Sequence, residues 1–155
     1  MKITLLATGK TREGYVADGI RDYTRRLRHY CPFEIIELPA PKGAQSEHMQ
    51  KLREGEAILK EIAPADVVIV LDERGKQYGS ESFAALLQQF MNQSARRLVF
   101  VTGGPYGFAD AVYSRAAMRL SLSQMTFSHQ MVRLIFAEQL YRAFTIIRGE
   151  PYHHS

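Results

Sequence analysis

Short apolar runs alternate with stretches of helical periodicity along the whole chain. Lys2–Thr8 reads as a strand, and Val16, Ile20, Tyr23, Leu27 and Tyr30 then recur at spacings of four and three, one face of a helix that Pro32 ends. Phe33–Leu38 is a second strand, followed by a loop at residues 39–45. Ser46 is placed to cap a helix bearing Met49, Leu52, Leu59 and Ile62. Asp66–Leu71 is almost wholly apolar, as a strand covered on both faces should be. Ser80 opens a helix with Phe83, Leu86, Leu87 and Phe90. Leu98–Val101 repeats the buried-strand pattern and breaks at Gly103-Gly104-Pro105. A short helix around Ala109–Arg119 and an extended piece near Leu120–Leu122 precede a last helix from about Gln130 to Ile147. Such alternation predicts one α/β domain over residues 1–155, with a mostly parallel sheet flanked by helices.

The last helix breaks the amphipathic rule. Met131, Val132, Leu134, Ile135, Phe136, Leu140, Tyr141, Phe144 and Ile147 fall on nearly every side of it. A helix apolar all round is buried all round, so a partner subunit is expected to cover part of it, the alternative being a central place inside its own monomer. Glu138, Arg142 and Thr145 form its one narrow polar stripe.

Composition narrows the function classes. The 155 residues carry 20 basic and 16 acidic side chains, too apolar a mix for disorder. Residues 1–60 and 111–155 are each net basic and residues 61–110 net acidic, a distribution compatible with an anionic partner such as nucleic acid and equally with an ordinary solvated surface. No apolar run approaches the length of a membrane span, and the Ile3–Ala7 run is too short for a signal peptide, so a cytoplasmic protein with no membrane partner is expected. A lone Cys31 and five scattered histidines offer no metal-ligand spacing, so no metal is expected. Gly9-Lys10-Thr11 fails as a phosphate loop, because the position five before Gly9 is Thr4, inside a strand. Gly103-Gly104-Pro105-Tyr106-Gly107 has the wrong spacing for a dinucleotide fingerprint, which excludes an oxidoreductase of that type.

Three turns at the ends of successive late strands remain: Asp72–Gly75, Thr102–Gly107 and Leu122–Phe127. Ligands of parallel sheets bind outside the carboxyl ends of strands. Backbone groups beside Leu122, Met125 and Phe127 suit a flat base with an apolar wall. The carboxyl terminus concentrates His129, Arg133, Glu138, Arg142, Tyr152 and His153, groups that stack a base and handle its protons. A frayed solvent tail is the alternative for its last residues. A binding factor without chemistry would keep the basic ends and have no need of the three turns.

Leu71-Asp72, Phe100–Gly107, Leu122–Phe127, Glu138–Ala143 and Pro151-Tyr152-His153 closely resemble the bacterial large-subunit ribosomal RNA pseudouridine N3-methyltransferases. These are SPOUT-class enzymes, and the likeness covers essentially the whole chain. It implies a SPOUT-type knotted methyltransferase fold with a carboxyl-terminal trefoil knot, a homodimer, and S-adenosylmethionine as methyl donor. It further implies methylation of N3 of a pseudouridine in 23S ribosomal RNA on the assembled ribosome. Carried over by position, the cofactor contacts are Leu71, Gly103, Gly104, Leu122, Ser123, Gln124, Met125, Thr126 and Phe127. His129, Arg142, Tyr152 and His153 are the expected catalytic groups, with Glu138 orienting Arg142. The family usually ends Tyr-His-Arg or Tyr-His-Lys. Here His154 follows His153, replacing a fixed charge by one mostly neutral at pH 7.

Overall fold

The computed structural model describes residues 1–154. Strands β1 (Lys2–Thr8), β2 (Phe33–Leu38), β3 (Val67–Gln77), β4 (Arg97–Thr102) and β5 (Met118–Ser121) pair in the order β2-β1-β4-β3-β5, every pair parallel. Helices α1 (Gly14–Leu27), α2 (Glu47–Glu61), α3 (Ser80–Asn92), α4 (Asp110–Arg115) and α5 (Met131–Arg148) complete the chain. The period-two alternation of the inner strands divides their side chains between two cores. Ile3, Leu5, Ile69, Leu98 and Phe100 face α1, α3 and α5; Leu6, Val68, Val70, Val99 and Val101 face α2 and α4. The architecture is thus the expected α/β layer with a parallel sheet flanked by helices.

Local chemistry explains most element boundaries. Ser46 Oγ accepts the Met49 amide at 3.1 Å, the expected cap of α2. The face of α2 differs from the periodicity reading, because Met49 and Leu52 are exposed while Glu54, Gly55 and Ile58 are buried. A small residue sets this packing: a β-carbon on Gly55 would lie 3.0 Å from that of Ala109, just ahead of α4. Strand β3 also runs past Leu71. Leu71 and Lys76 both pair with Leu120, so residues 72–75 form an excursion inside a strand rather than a turn after it. Gly75 permits this, since a β-carbon there would meet the Arg119 carbonyl carbon at 2.7 Å. Helix α4 stops at Arg115, short of the expected Arg119, and β5 begins at Met118, ahead of the expected Leu120.

Helix α5 lies against the sheet with α1 and α3 beside it. Phe136, Ala137 and Leu140 are fully buried within the single chain, and along the helix only Arg148 is exposed. Much of the all-round apolar pattern is therefore satisfied inside the monomer, and Leu140 belongs to the chain's own core. Gly149 ends α5 in the left-handed conformation, with φ +67°, and Pro151 follows.

Candidate functional site

The carboxyl ends of β4 and β5, together with the excursion of β3, open into a cleft of about 510 Å³. The three turns singled out in the sequence do converge there. Leu71, Gly103, Gly104, Leu122, Ser123, Met125, Thr126 and Phe127 line it, and so does His129. Gln124 is absent from the lining; its amide lies 3.5 Å from the Gln77 side chain, away from the cleft. Asp72 and Tyr106, inside two of those turns but given no role, also line it, and so do Phe108 and Tyr113, which lie outside them. Asp72 sat in a recognised motif, but nothing in local sequence announces that α4 brings Tyr113 to the same wall.

Internal hydrogen bonds shape the cleft loops. Ser123 Oγ accepts the Met125 amide at 3.0 Å, Ser121 Oγ donates to the Ser123 carbonyl at 2.8 Å, and Thr126 Oγ1 donates to Glu73 at 2.6 Å. Gly107, at φ +81°, donates its amide to the Gly104 carbonyl at 3.2 Å and closes the glycine turn. Gly104 has a reason for lacking a side chain that the motif does not convey. A β-carbon there would lie 2.3 Å from Glu54 Oε2, so the crowding comes from α2 behind the turn rather than from a ligand in front of it. Glu54 itself is buried, its carboxylate held by Gln50 Nε2 at 3.1 Å. Burial pushes its pKa up, against the opposing Gln50 contact.

The start of α5 is fastened to the loop after β1. Arg133, 1% exposed, donates to the carbonyls of Thr8, Gly9 and His129 and to the Thr11 hydroxyl, all at 2.9–3.0 Å. Gln130 accepts the Arg12 amide at 2.7 Å and donates to the Lys10 carbonyl at 3.1 Å. Together they fix where the chain leaves the cleft, and so where His129 stands.

The other expected catalytic residues gather elsewhere. Arg142 donates to Glu138 at 2.6 Å, the Tyr152 hydroxyl donates to the same carboxylate oxygen at 3.0 Å, and Arg142 Nη1 lies 3.4 Å from His153 Nδ1. Tyr152 packs edge-on against Tyr141 and under the Arg142 guanidinium. The Tyr152 phenol is raised well above the ordinary tyrosine range by burial and by the Tyr23 and Glu138 contacts. The tail through His153 is thus docked on α5 and α1, not frayed. Within one chain this cluster and His129 are about 20 Å apart along the helix axis. Sequence proximity joined them; the helix separates them. No group of three or more histidine, cysteine or acidic side chains that could hold a metal ion occurs among the described residues, and no helix among them is long and apolar enough to cross a membrane.

Comparison with known proteins places this geometry. A family described as "Predicted SPOUT methyltransferase" matches residues 1–153. Proteins named "Ribosomal RNA large subunit methyltransferase H" from Parabacteroides distasonis and Christiangramia forsetii are 53% and 52% identical, each over 99% of both chains. The protein of that name from Cytophaga hutchinsonii is 50% identical over 99% of this chain and all of its own. Among solved structures, a probable methyltransferase from Bordetella pertussis superposes with a TM-score of 0.57 at 12% identity, covering 92% of this chain and 96% of its own. A probable methylase family protein from Haemophilus influenzae gives 0.53 at 13%, covering 99% and 70%. These two likenesses speak for the fold alone. The full-length sequence matches go further: the chain belongs to the SPOUT methyltransferase family, in the group of ribosomal RNA large subunit methyltransferase H.

Proposed function

We propose that this chain transfers a methyl group from S-adenosylmethionine to N3 of a pseudouridine in 23S ribosomal RNA, acting on the assembled ribosome as a homodimer in the cytoplasm. The observation that carries the reading is the cleft built by the excursion of β3 and the turns after β4 and β5. Its volume suits a ligand of nucleoside-cofactor size. Its lining has the needed chemistry: apolar walls from Leu71, Leu122, Phe108 and Phe127, and the backbone of Gly103, Gly104 and Gly107. Gln124 is left out of the proposed contacts. A ribosome-binding factor without chemistry has no use for such a cleft. The proposal includes the trefoil knot that the family resemblance implies.

When bound, the donor supplies a methyl group already activated by its sulfonium. The protein's tasks are to hold the base in line and to help N3 lose its proton. Arg142, oriented by Glu138, is suited to stabilise negative charge developing on the uracil carbonyls. His129 and His153 are the groups suited to accept the proton, and Tyr152 presents a ring against which a base can be oriented. One chain cannot bring these groups to one base, because they sit about 20 Å apart along α5. A second copy that lays its Arg142–Tyr152–His153 cluster against this cleft completes the set, which supports the dimer. Leu140 takes no part in that contact, being buried in its own core.

The test is transfer of labelled methyl to ribosomes lacking the modification, compared with separated large subunits and naked 23S RNA. Label at N3 of a pseudouridine, greatest on assembled ribosomes, is the expected result. Absence of transfer, or label on an unmodified uridine, overturns the proposal.

A further inference from the structure

One carboxylate in the cleft has no part in the chemistry above. Asp72 follows Leu71 on the excursion of β3, and its side chain is 7% exposed. Oδ2 accepts the Tyr113 hydroxyl at 2.5 Å, and Oδ1 accepts the Arg74 amide at 2.9 Å. The Arg74 guanidinium lies 3.6 Å away but is itself 75% exposed. Burial alone would raise this carboxyl; the Tyr113 hydroxyl and the Arg74 contacts outweigh it and hold the group below the usual carboxylate range. Tyr113 is fixed in turn, edge-on to Phe108 and with the Arg119 guanidinium 4.0 Å from its ring centre. The other titratable groups on the walls are Glu73, which accepts from Thr126, Tyr106 and His129. An ionised carboxylate fixed by two donors therefore stands in a cleft whose other charged side chains are Glu73 and the solvent-exposed Arg74. Such a group sets which ligands a cleft accepts.

We infer that Asp72 is a specificity-determining residue: its carboxylate favours a positively charged donor over an uncharged nucleoside, and Tyr113 is the positioning residue that holds it toward the cleft. The inference rests on the S-adenosylmethionine reading. That ligand carries a sulfonium and an α-ammonium; S-adenosylhomocysteine keeps only the ammonium, and adenosine has neither.

Calorimetric titration of the full chain with these three ligands tests it. Asp72→Asn keeps the shape and removes the charge. Affinity for S-adenosylmethionine should fall about tenfold to a hundredfold, the scale of a hydrogen bond to a charged group, while adenosine binding stays within about twofold. An equal loss on S-adenosylhomocysteine assigns the carboxylate to the ammonium, and a spared S-adenosylhomocysteine assigns it to the sulfonium; both support the inference. Tyr113→Phe should cost about three- to tenfold with the same ranking of ligands. It should also move the acid limb of S-adenosylmethionine affinity to higher pH, because Asp72 loses a donor that favours its charged form. Were Asp72→Asn to unfold, this pH shift decides alone. Equal losses on all three ligands, or no loss in a folded variant, overturn the inference. If the wild-type chain binds no S-adenosylmethionine, the cofactor reading falls and the inference with it; if only the variants are indistinguishable from wild type, the inference falls alone.

Discussion

Arg133→Met is the sharpest test of how the cleft is held. The side chain is 1% exposed and its guanidinium serves four acceptors: the carbonyls of Thr8, Gly9 and His129 and the hydroxyl of Thr11. Methionine keeps most of the volume and the helix propensity but donates nothing, so three carbonyls lose a charged donor. An unsatisfied buried acceptor costs about 1–3 kcal/mol. Part of that cost is recovered at the edge of the site, where Glu37, 3.8 Å from Arg133, is partly open to water. A net loss of about 3–5 kcal/mol is expected, the range for removing one partner from a buried charged network. For a domain of this size that lowers Tm by about 6–20 °C. Arg133→Lys should fall between, since one ammonium cannot reach all four acceptors. Scanning calorimetry with urea titration at pH 7 reads both variants. A shift of less than about 2 °C for Arg133→Met would show that the carbonyls find water or new donors, and that this arginine does not hold the loop after β1 to α5.

Three further outcomes follow from the site. Gly104→Ala should cost about 1–3 kcal/mol of stability from overpacking, and the combined Gly104→Ala, Glu54→Ala chain should lose less than the two single losses together; strict additivity in urea melts would remove Glu54 as the clashing group. Because burial raises the Glu54 pKa in the fold, the folded state binds its proton more tightly, and stability is lost as pH rises from the unfolded value through the folded one. Glu54→Gln should therefore melt higher than wild type near pH 7.5, with the gap closing toward pH 4, and a gap that is constant with pH refutes this. For the dimer, His129→Ala and His153→Ala chains that are each weak in transfer should regain activity when refolded together, because one site in the mixed dimer is intact; persistent inactivity of a confirmed mixed dimer argues against a site shared between chains.

Much of this protein is determined by its sequence alone, for reasons of periodicity. Runs such as Val67–Val70 and Leu98–Val101 are apolar on successive residues, which suits only strands covered on both faces, and each is followed by a helical repeat. That alternation is enough for a parallel α/β layer. The glycine turn and the Leu122–Phe127 loop were legible for a related reason: turn chemistry at strand ends is local, and ligands gather there. What stayed hidden depends on contacts between residues far apart in the chain. Gly104 reads as room for a ligand until Glu54 is seen behind it. Tyr113 becomes part of the cleft only because β3 continues past Leu71 and sets Asp72 opposite α4. The apolar periphery of α5 reads as a partner's footprint, yet Phe136, Leu140 and Phe144 are buried by the chain's own α1, α3 and sheet, and the other apolar residues are partly covered. His129 and Arg142 look adjacent as text, whereas 1.5 Å of helix rise per residue sets Arg142 about 20 Å along α5 from His129. Local pattern specifies which elements form; only packing between distant segments decides which side chains share a site.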